Sequence, residues 1–260
     1  MERKSLIPFN PDSTGVPSAS FGEVQPSGFN KRITFGWQNK LFQVGKPEDG
    51  NVSREITFEP IFRFSGIKRN FENDYDPNAT DVRPTCYSLD GKTGSVPAVE
   101  RVLADGNTHS VYGTCSECAF NQWRSRGLWK PPGSMTQTKA KQCAQYTLIL
   151  ARYKGEVVMI QIPSTGVESV NDCITAAVVA KDKKFEEMRW QLLGTGGGFQ
   201  GKYMKMVPVG LLTAEELEEL NALRARNYKS FEESVFSFAQ GGSEESASNG
   251  STNTGEVVEG

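Results

Sequence analysis

Tyr146-Thr147-Leu148-Ile149-Leu150-Ala151-Arg152-Tyr153 and Glu156-Val157-Val158-Met159-Ile160-Gln161-Ile162-Pro163 flank a Lys154-Gly155 pair. Two apolar, β-branched runs separated by two turn-forming residues specify a β-hairpin. Upstream, Ile33–Trp37, Lys40–Val44 and Glu55–Glu59 read as strands divided by Gly, Asn and Pro turns. Phe58, Ile61, Phe62 and Phe64 lengthen the third of these, with Pro60 expected to interrupt its ladder or to place it at an edge. Downstream, Val170–Lys181 reads as a helix, and Glu187–Leu193 and Tyr203–Leu211 read as two strands around a Gly-rich loop. Thr213 and Glu216 have capping-box spacing, and Leu217, Leu220 and Leu223 continue at helical intervals, which predicts a helix over about Ala214–Arg226. The expected fold is mainly β with a few helices (α+β), five or more strands closing around one core in a small Greek-key barrel.

The chain has 260 residues, 37% of them hydrophobic, enough for one sizeable core or one core with a satellite module. The expected organisation is an extended arm over residues 1–30, one domain over 31–240 with an insertion at about 70–145, and a disordered acidic tail over 241–260. Residues 70–112 are polar and turn-rich, hard to fold by burial alone. No apolar run reaches the roughly 18 residues of a membrane span, and the start of the chain lacks a basic-then-apolar signal pattern. A soluble protein of the cytoplasm is expected.

Five cysteines, an odd number, argue against a disulfide framework. Cys86, Cys115, Cys118 and Cys143 read as C-x28-C-x2-C-x24-C, in which the C-x2-C pair supplies two ligands from one tight turn. Four thiolates would hold a structural zinc ion and leave it no open position for substrate or water. His109, the one histidine, is the alternative ligand, and Cys173 sits in an apolar run as a core residue.

From Ala119 to Gly155 there are seven Lys or Arg residues and no Asp or Glu, with aromatic residues interleaved. Lysine and arginine neutralise phosphates, while exposed aromatic rings stack on bases of any sequence. The candidate contacts to a single strand are Trp123, Arg124, Arg126, Trp129, Lys130, Lys139 and Lys141, with Tyr153 and Trp37 as weaker ones. The last twenty residues carry four of the 31 acidic residues and none of the 29 basic ones, so the rest of the chain is slightly positive despite the formal charge of -2. That tail reads as a solubility tail, as a competitor for the basic surface, or as a docking peptide for replication or recombination proteins.

Signals for catalysis are sparse. With a single histidine, triads and histidine-based general bases have one candidate at most. Glu72, Asp74, Asp76 and Asp81, the nearest carboxylate group for a nuclease, fall in a turn-rich stretch and read as solvated loop residues. Gly194–Lys202 lacks a full phosphate-loop match and precedes a strand pattern rather than a helix.

Arg83-Pro84-Thr85-Cys86-Tyr87-Ser88-Leu89-Asp90-Gly91, Cys115-Ser116-Glu117-Cys118-Ala119-Phe120-Asn121-Gln122-Trp123 and Lys141-Gln142-Cys143, followed by the hairpin and the acidic end, resemble the zinc-bearing single-stranded DNA-binding proteins of bacteriophages. The resemblance covers roughly residues 80–165. It implies an OB-like barrel that coats single-stranded DNA without strong sequence preference during replication or recombination, in the cytoplasm of a host cell. Bacterial proteins of this kind end in a short peptide closed by Phe, whereas this chain ends Glu256-Val257-Val258-Glu259-Gly260. The expectation is therefore a non-enzymatic strand-binding protein with structural zinc. The alternative is a zinc-ribbon module that binds replication or transcription proteins through the same cysteines.

Overall fold

The computed structural model describes residues 31–36, 39–45, 49–73, 83–134, 140–195 and 203–241. The arm, the tail beyond Gly241, the loop at 196–202, Trp37, Lys139, Asp74, Asp76 and Asp81 lie outside the described residues. With 39% strand and 28% helix, the fold is mainly β, and its large sheet curls into a half-barrel.

In chain order the strands are β1 (Arg32–Gly36), β2 (Leu41–Val44), β3 (Val52–Ser53), β4 (Glu55–Asn70), β5 (Cys86–Ser88), β6 (Val99–Val102), β7 (Thr108–Val111), β8 (Ala144–Tyr153), β9 (Glu156–Ile162), β10 (Met188–Gly194) and β11 (Met204–Leu211). Helix α1 spans Ser164–Lys181 and α2 spans Ala214–Gln240. The large sheet runs β11-β10-β4-β8-β9-β1-β2-β3, with β5 attached to β4, while β6 and β7 form a separate ribbon. All these pairings are antiparallel except β1 with β9, where Ile33 lies opposite Ile160. One residue, Arg54, separates β3 from β4, so the far edge of the path returns to the strand at its centre.

The hairpin at 146–163 forms β8 and β9 as expected, with Ile149 opposite Ile160. Its nearly continuous apolar character has a structural cause, since both faces are covered. Ile149, Ala151, Val158, Ile160 and Ile162 point into a first core with Ile33, Phe35, Phe42, Ile56, Phe58 and Trp190. Leu148, Leu150 and Met159 point the other way, into a second core under α2. Val167, Val170 and Ile174 of α1 recur at helical spacing and complete the first core.

Pro60 interrupts the ladder, the first of its two expected effects, but it neither ends β4 nor marks an edge, which corrects the second. The strand runs for 16 residues through the middle of the sheet, and its pairing with β8 shifts register between Pro60 and Phe62 and again between Ser65 and Ile67. A bulge tolerates the missing proline N–H and turns alternate side chains to the other face. Ile56 and Phe58 therefore serve the first core, whereas Ile61, Phe62 and Ile67 serve the second. Gly66, at φ +95°, occupies the second irregularity, where an L side chain is strained.

The capping box forms in both directions: Glu216 N–H donates to Thr213 Oγ1 at 3.2 Å, and Thr213 N–H donates to Glu216 Oε2 at 2.9 Å. Helix α2 continues well past Arg226 to Gln240, because Phe231, Val235, Phe238 and Ala239 extend its apolar stripe over the second core. Gly241, at φ +71°, ends it. No helix among the described residues is long and apolar enough to cross a membrane.

Candidate metal centre and nucleic-acid interface

Between β4 and β8 the described residues other than β5 leave the sheet and gather around a third small core of Leu103, Val111, Tyr112, Phe120 and Leu128, joined by Cys86 and Cys118. The base of this module is tied to the sheet. Asn70 pairs with Cys86, Lys68 Nζ donates to Gly91 O at 2.7 Å, and Gln142 Nε2 donates to Phe71 O. Glu72 accepts from Arg101 Nη1 at 2.7 Å and from the Tyr112 hydroxyl, which makes it a structural anchor rather than a metal-binding carboxylate.

All four expected cysteines converge on one cavity of about 20 Å³, lined also by Lys68, Asn70 and Tyr112. None is in a disulfide. Cys115 and Cys118 occupy a tight turn in which Thr114 O accepts from the N–H groups of Glu117 and Cys118 at 3.1 and 3.0 Å. Tyr112 N–H donates to Cys118 Sγ at 3.1 Å. Tyr112 and Gly113 both have positive φ, +66° and +57°, and the hydroxyl bond to Glu72 helps to hold the tyrosine in that region. Across the cavity, Ser95 Oγ lies 3.9 Å from Cys86 Sγ. A Cβ on Gly94 would lie 3.0 Å from the same sulfur, so glycine keeps that wall open.

Burial raises the Cys143 thiol well above its ordinary range, and the charges of Cys118, Cys86 and Cys115 raise it further, with Lys68 opposing. Burial likewise raises Cys86, against hydrogen bonds from Val96 and Ser95 that favour the thiolate. The thiols are thus close enough to repel one another as thiolates, a situation a bound divalent cation reverses. Among the described residues no group of three or more His, Cys, Asp or Glu side chains has the disposition to hold a metal ion. The sulfurs ring the cavity without being drawn into a formed tetrahedral site. His109 is placed elsewhere: its Nε2 lies 2.8 Å from Asp105 Oδ2, and it does not line the cavity.

The basic and aromatic stretch wraps the outside of this module. Trp123 is 72% exposed, and Lys141 Nζ lies 5.3 Å from its ring centroid. Arg124 and Arg126 are exposed, Arg124 at φ +67°. Trp129 is half-buried against the third core, with Lys130 Nζ 5.6 Å from its ring. Two segments far apart in sequence are sewn together to make this face. Arg126 N–H donates to Ala140 O at 3.2 Å, Gly127 N–H donates to Gln142 Oε1 at 2.9 Å, and Cys143 N–H donates to Phe120 O at 3.0 Å.

Other members of the run are placed differently. Tyr153 is 8% exposed, and its ring belongs to the first core, so it offers no open stacking face, contrary to expectation. Arg152 is engaged by Glu59 and by Glu219, the latter at 2.6 Å, and so helps dock α2 onto the sheet. Sequence reading missed Ser125 and Gln142, polar side chains that bind the two sewn segments to each other. No periodicity or spacing distinguishes them from ordinary loop residues.

Comparison with protein families, curated proteins and solved structures finds no match to this chain.

Proposed function

We propose that the protein binds single-stranded DNA without strong sequence preference, as a non-enzymatic coating protein in phage-type replication or recombination. The observation that carries this reading is Trp123, a large aromatic ring exposed beside Lys141 and the guanidinium-bearing Arg124 on a face fixed from beneath. Such a face suits a nucleobase on the ring and phosphates on the cations. The curled sheet supports an OB-like description, because the β4-β8-β9-β1-β2 path comes back to β4 through β3 and α1 covers part of its interior.

Structural zinc belongs to the same proposal. Four thiols lining one small cavity, with backbone and hydroxyl donors to two of the sulfurs, support a thiolate site that closes into a tetrahedron as the ion binds. Cys86, Cys115, Cys118 and Cys143 would hold the ion, which would supply folding free energy, on the order of 10 kcal/mol in small zinc modules. The acidic stretch that follows Gly241 is proposed to meet replication or recombination proteins.

Titration of the intrinsic tryptophan fluorescence with oligo-dT at several salt concentrations tests the reading. Quenching is expected at low salt, with affinity falling linearly in log salt as phosphate contacts release counterions. Absence of quenching at low salt overturns it and leaves the cysteine module as a protein-interaction ribbon.

A further inference from the structure

We infer that Lys68 balances the charge of the thiolate site, its ammonium offsetting one of the two negative charges that four thiolates leave around a divalent ion, an inference that rests on the structural-zinc proposal above. Lys68 lines the thiol cavity, and among the described residues of that lining it is the one cation, joined by no Asp or Glu. Tyr112 N–H and Ser95 Oγ bring donors to the sulfurs but no charge.

The irregularity at Gly66 is what turns Lys68 to this side. Before it, Phe62 and Phe64 of β4 face the second core. After it Ile67 does, and Arg69, next on that side, lies with its Cζ 4.6 Å from the ring centroid of Phe238 in α2. Alternate residues of a strand share a face, and a shift of one exchanges the faces. A regular ladder would therefore send Lys68 under α2, whereas the shifted one places it with Asn70 on the opposite face, where both line the cavity.

A close approach of two glycines then fixes the ammonium. A Cβ on Gly91, at φ +71°, would lie 2.9 Å from Gly66 O, a backbone atom, so only glycine lets the segment after β5 come this near to β4. Gly91 O thereby accepts from Lys68 Nζ at 2.7 Å. Asp90, the adjoining carboxylate, is occupied elsewhere: its Oδ1 accepts from Ser88 Oγ at 2.9 Å and from the N–H groups of Lys92 and Thr93 at 2.7 and 2.8 Å. Held by a neutral carbonyl, the ammonium keeps its charge for the sulfurs, and it favours the Cys143 thiolate against burial and against repulsion from the other three. Two negative charges in an enclosed site are costly to desolvate, and a cation fixed beside them lowers that cost.

Zinc affinity of the full chain, measured by competition with a chromophoric chelator in the wild type, Lys68→Gln and Lys68→Arg, tests the inference. Lys68→Gln keeps a donor and loses the charge, and it is expected to bind zinc about 10- to 100-fold more weakly, the range for partners just outside the ligand shell. Lys68→Arg keeps the charge and is expected to lose less. A second readout separates charge from structure. In the cobalt(II)-loaded chain a cation beside the sulfurs deepens their lone pairs, so Lys68→Gln should move the sulfur-to-cobalt charge-transfer band to longer wavelength. The d–d bands, set by coordination geometry, should stay in place. Unchanged zinc affinity and an unmoved band in Lys68→Gln overturn the charge role and leave the zinc proposal standing. Equal losses in both variants with the band unmoved also overturn it, reducing Lys68 to a tie between β4 and Gly91. A wild-type chain that takes up neither zinc nor cobalt removes the zinc proposal itself. Should Lys68→Gln fail to fold, Lys68→Arg decides: retained affinity upholds the charge role, and a loss beyond about ten-fold overturns it.

Discussion

The buried hydroxyl of Ser125 accepts the backbone N–H of Gln142 at 2.9 Å, and it lies 2.8 Å from Phe120 O and 2.7 Å from Gln122 O. One small side chain thereby locks the turn that presents Trp123 and Arg124 onto the segment that carries Cys143, just before β8. The face that bears Trp123 and the thiol cavity are consequently two sides of one piece of structure.

Replacing Ser125 with Ala strands an N–H and removes the hydroxyl's proton from two carbonyls, in a site 3% exposed. A loss of about 1–3 kcal/mol in unfolding free energy is expected by urea denaturation. Affinity for oligo-dT should fall as well, although the side chain itself is buried away from any ligand. Full affinity in a measurably destabilised variant would show that the turn does not position Trp123.

Trp123→Ala should behave in the opposite way. At 72% exposure the ring adds little to the core, so thermal unfolding should shift by less than about 0.5 kcal/mol. Binding to oligo-dT should weaken by about 1–3 kcal/mol, the range for one stacked base. Fluorescence titration against the wild-type chain measures both the affinity and the share of quenching that this ring contributes.

Metal content and pH should be linked. Elemental analysis is expected to find about one zinc per chain at neutral pH, and retention should fall on acidification because protons compete for the thiolates. Chelation should open residues 83–143 to proteolysis while β8, β9 and α2, which rest on their own cores, remain protected. Absence of zinc at neutral pH, with four freely titrating thiols, would refute the metal proposal.

The Thr213–Glu216 cap supplies a second pH dependence. The Thr213 backbone N–H holds the Glu216 carboxyl below its ordinary range, opposed by slight burial and helped by Arg189, which donates to it at 2.5 Å. A lowered folded-state pKa stabilises the fold above the ordinary glutamate pKa, about 4.3, and that contribution is lost as pH falls through the lower folded value. Urea midpoints at neutral pH and near pH 3 should therefore differ more for the wild-type chain than for Glu216→Gln.

The sequence and the structure agree most closely where a single period controls burial. The β8–β9 hairpin was legible because its residues are apolar on both faces and Lys154-Gly155 marks the turn. Helix α2 was legible at its start, where the cap is chemical, but not at its end, because Arg224-Ala225-Arg226-Asn227 interrupts the apolar pattern before Tyr228 and Phe231 resume it. Arg224 in fact turns its guanidinium onto Ile61 O at 3.0 Å, a use of charge that no periodicity reveals. Strands β5, β6 and β7 escaped notice because their order comes from the module around them rather than from alternating side chains. For the site, cysteine spacing was enough to bring four thiols together. The removal of Tyr153 and Arg152 from the basic face required knowing which side of β8 meets which core, and a bulge in the partner strand decides that.

Arg69 and Ala144 stand opposite each other in the β4–β8 ladder, so the module departs from and returns to neighbouring rungs. The segment between Asn70 and Ala144 is therefore a cassette: a short turn in its place would complete an ordinary hairpin with the β4–β8 register intact, at the loss of β5 from the sheet. A change within the thiol-bearing segment accordingly reaches the rest of the sheet chiefly through β5 and the second-core contacts of Tyr87 and Leu89, and leaves the β4–β8 ladder to stand on its own pairing.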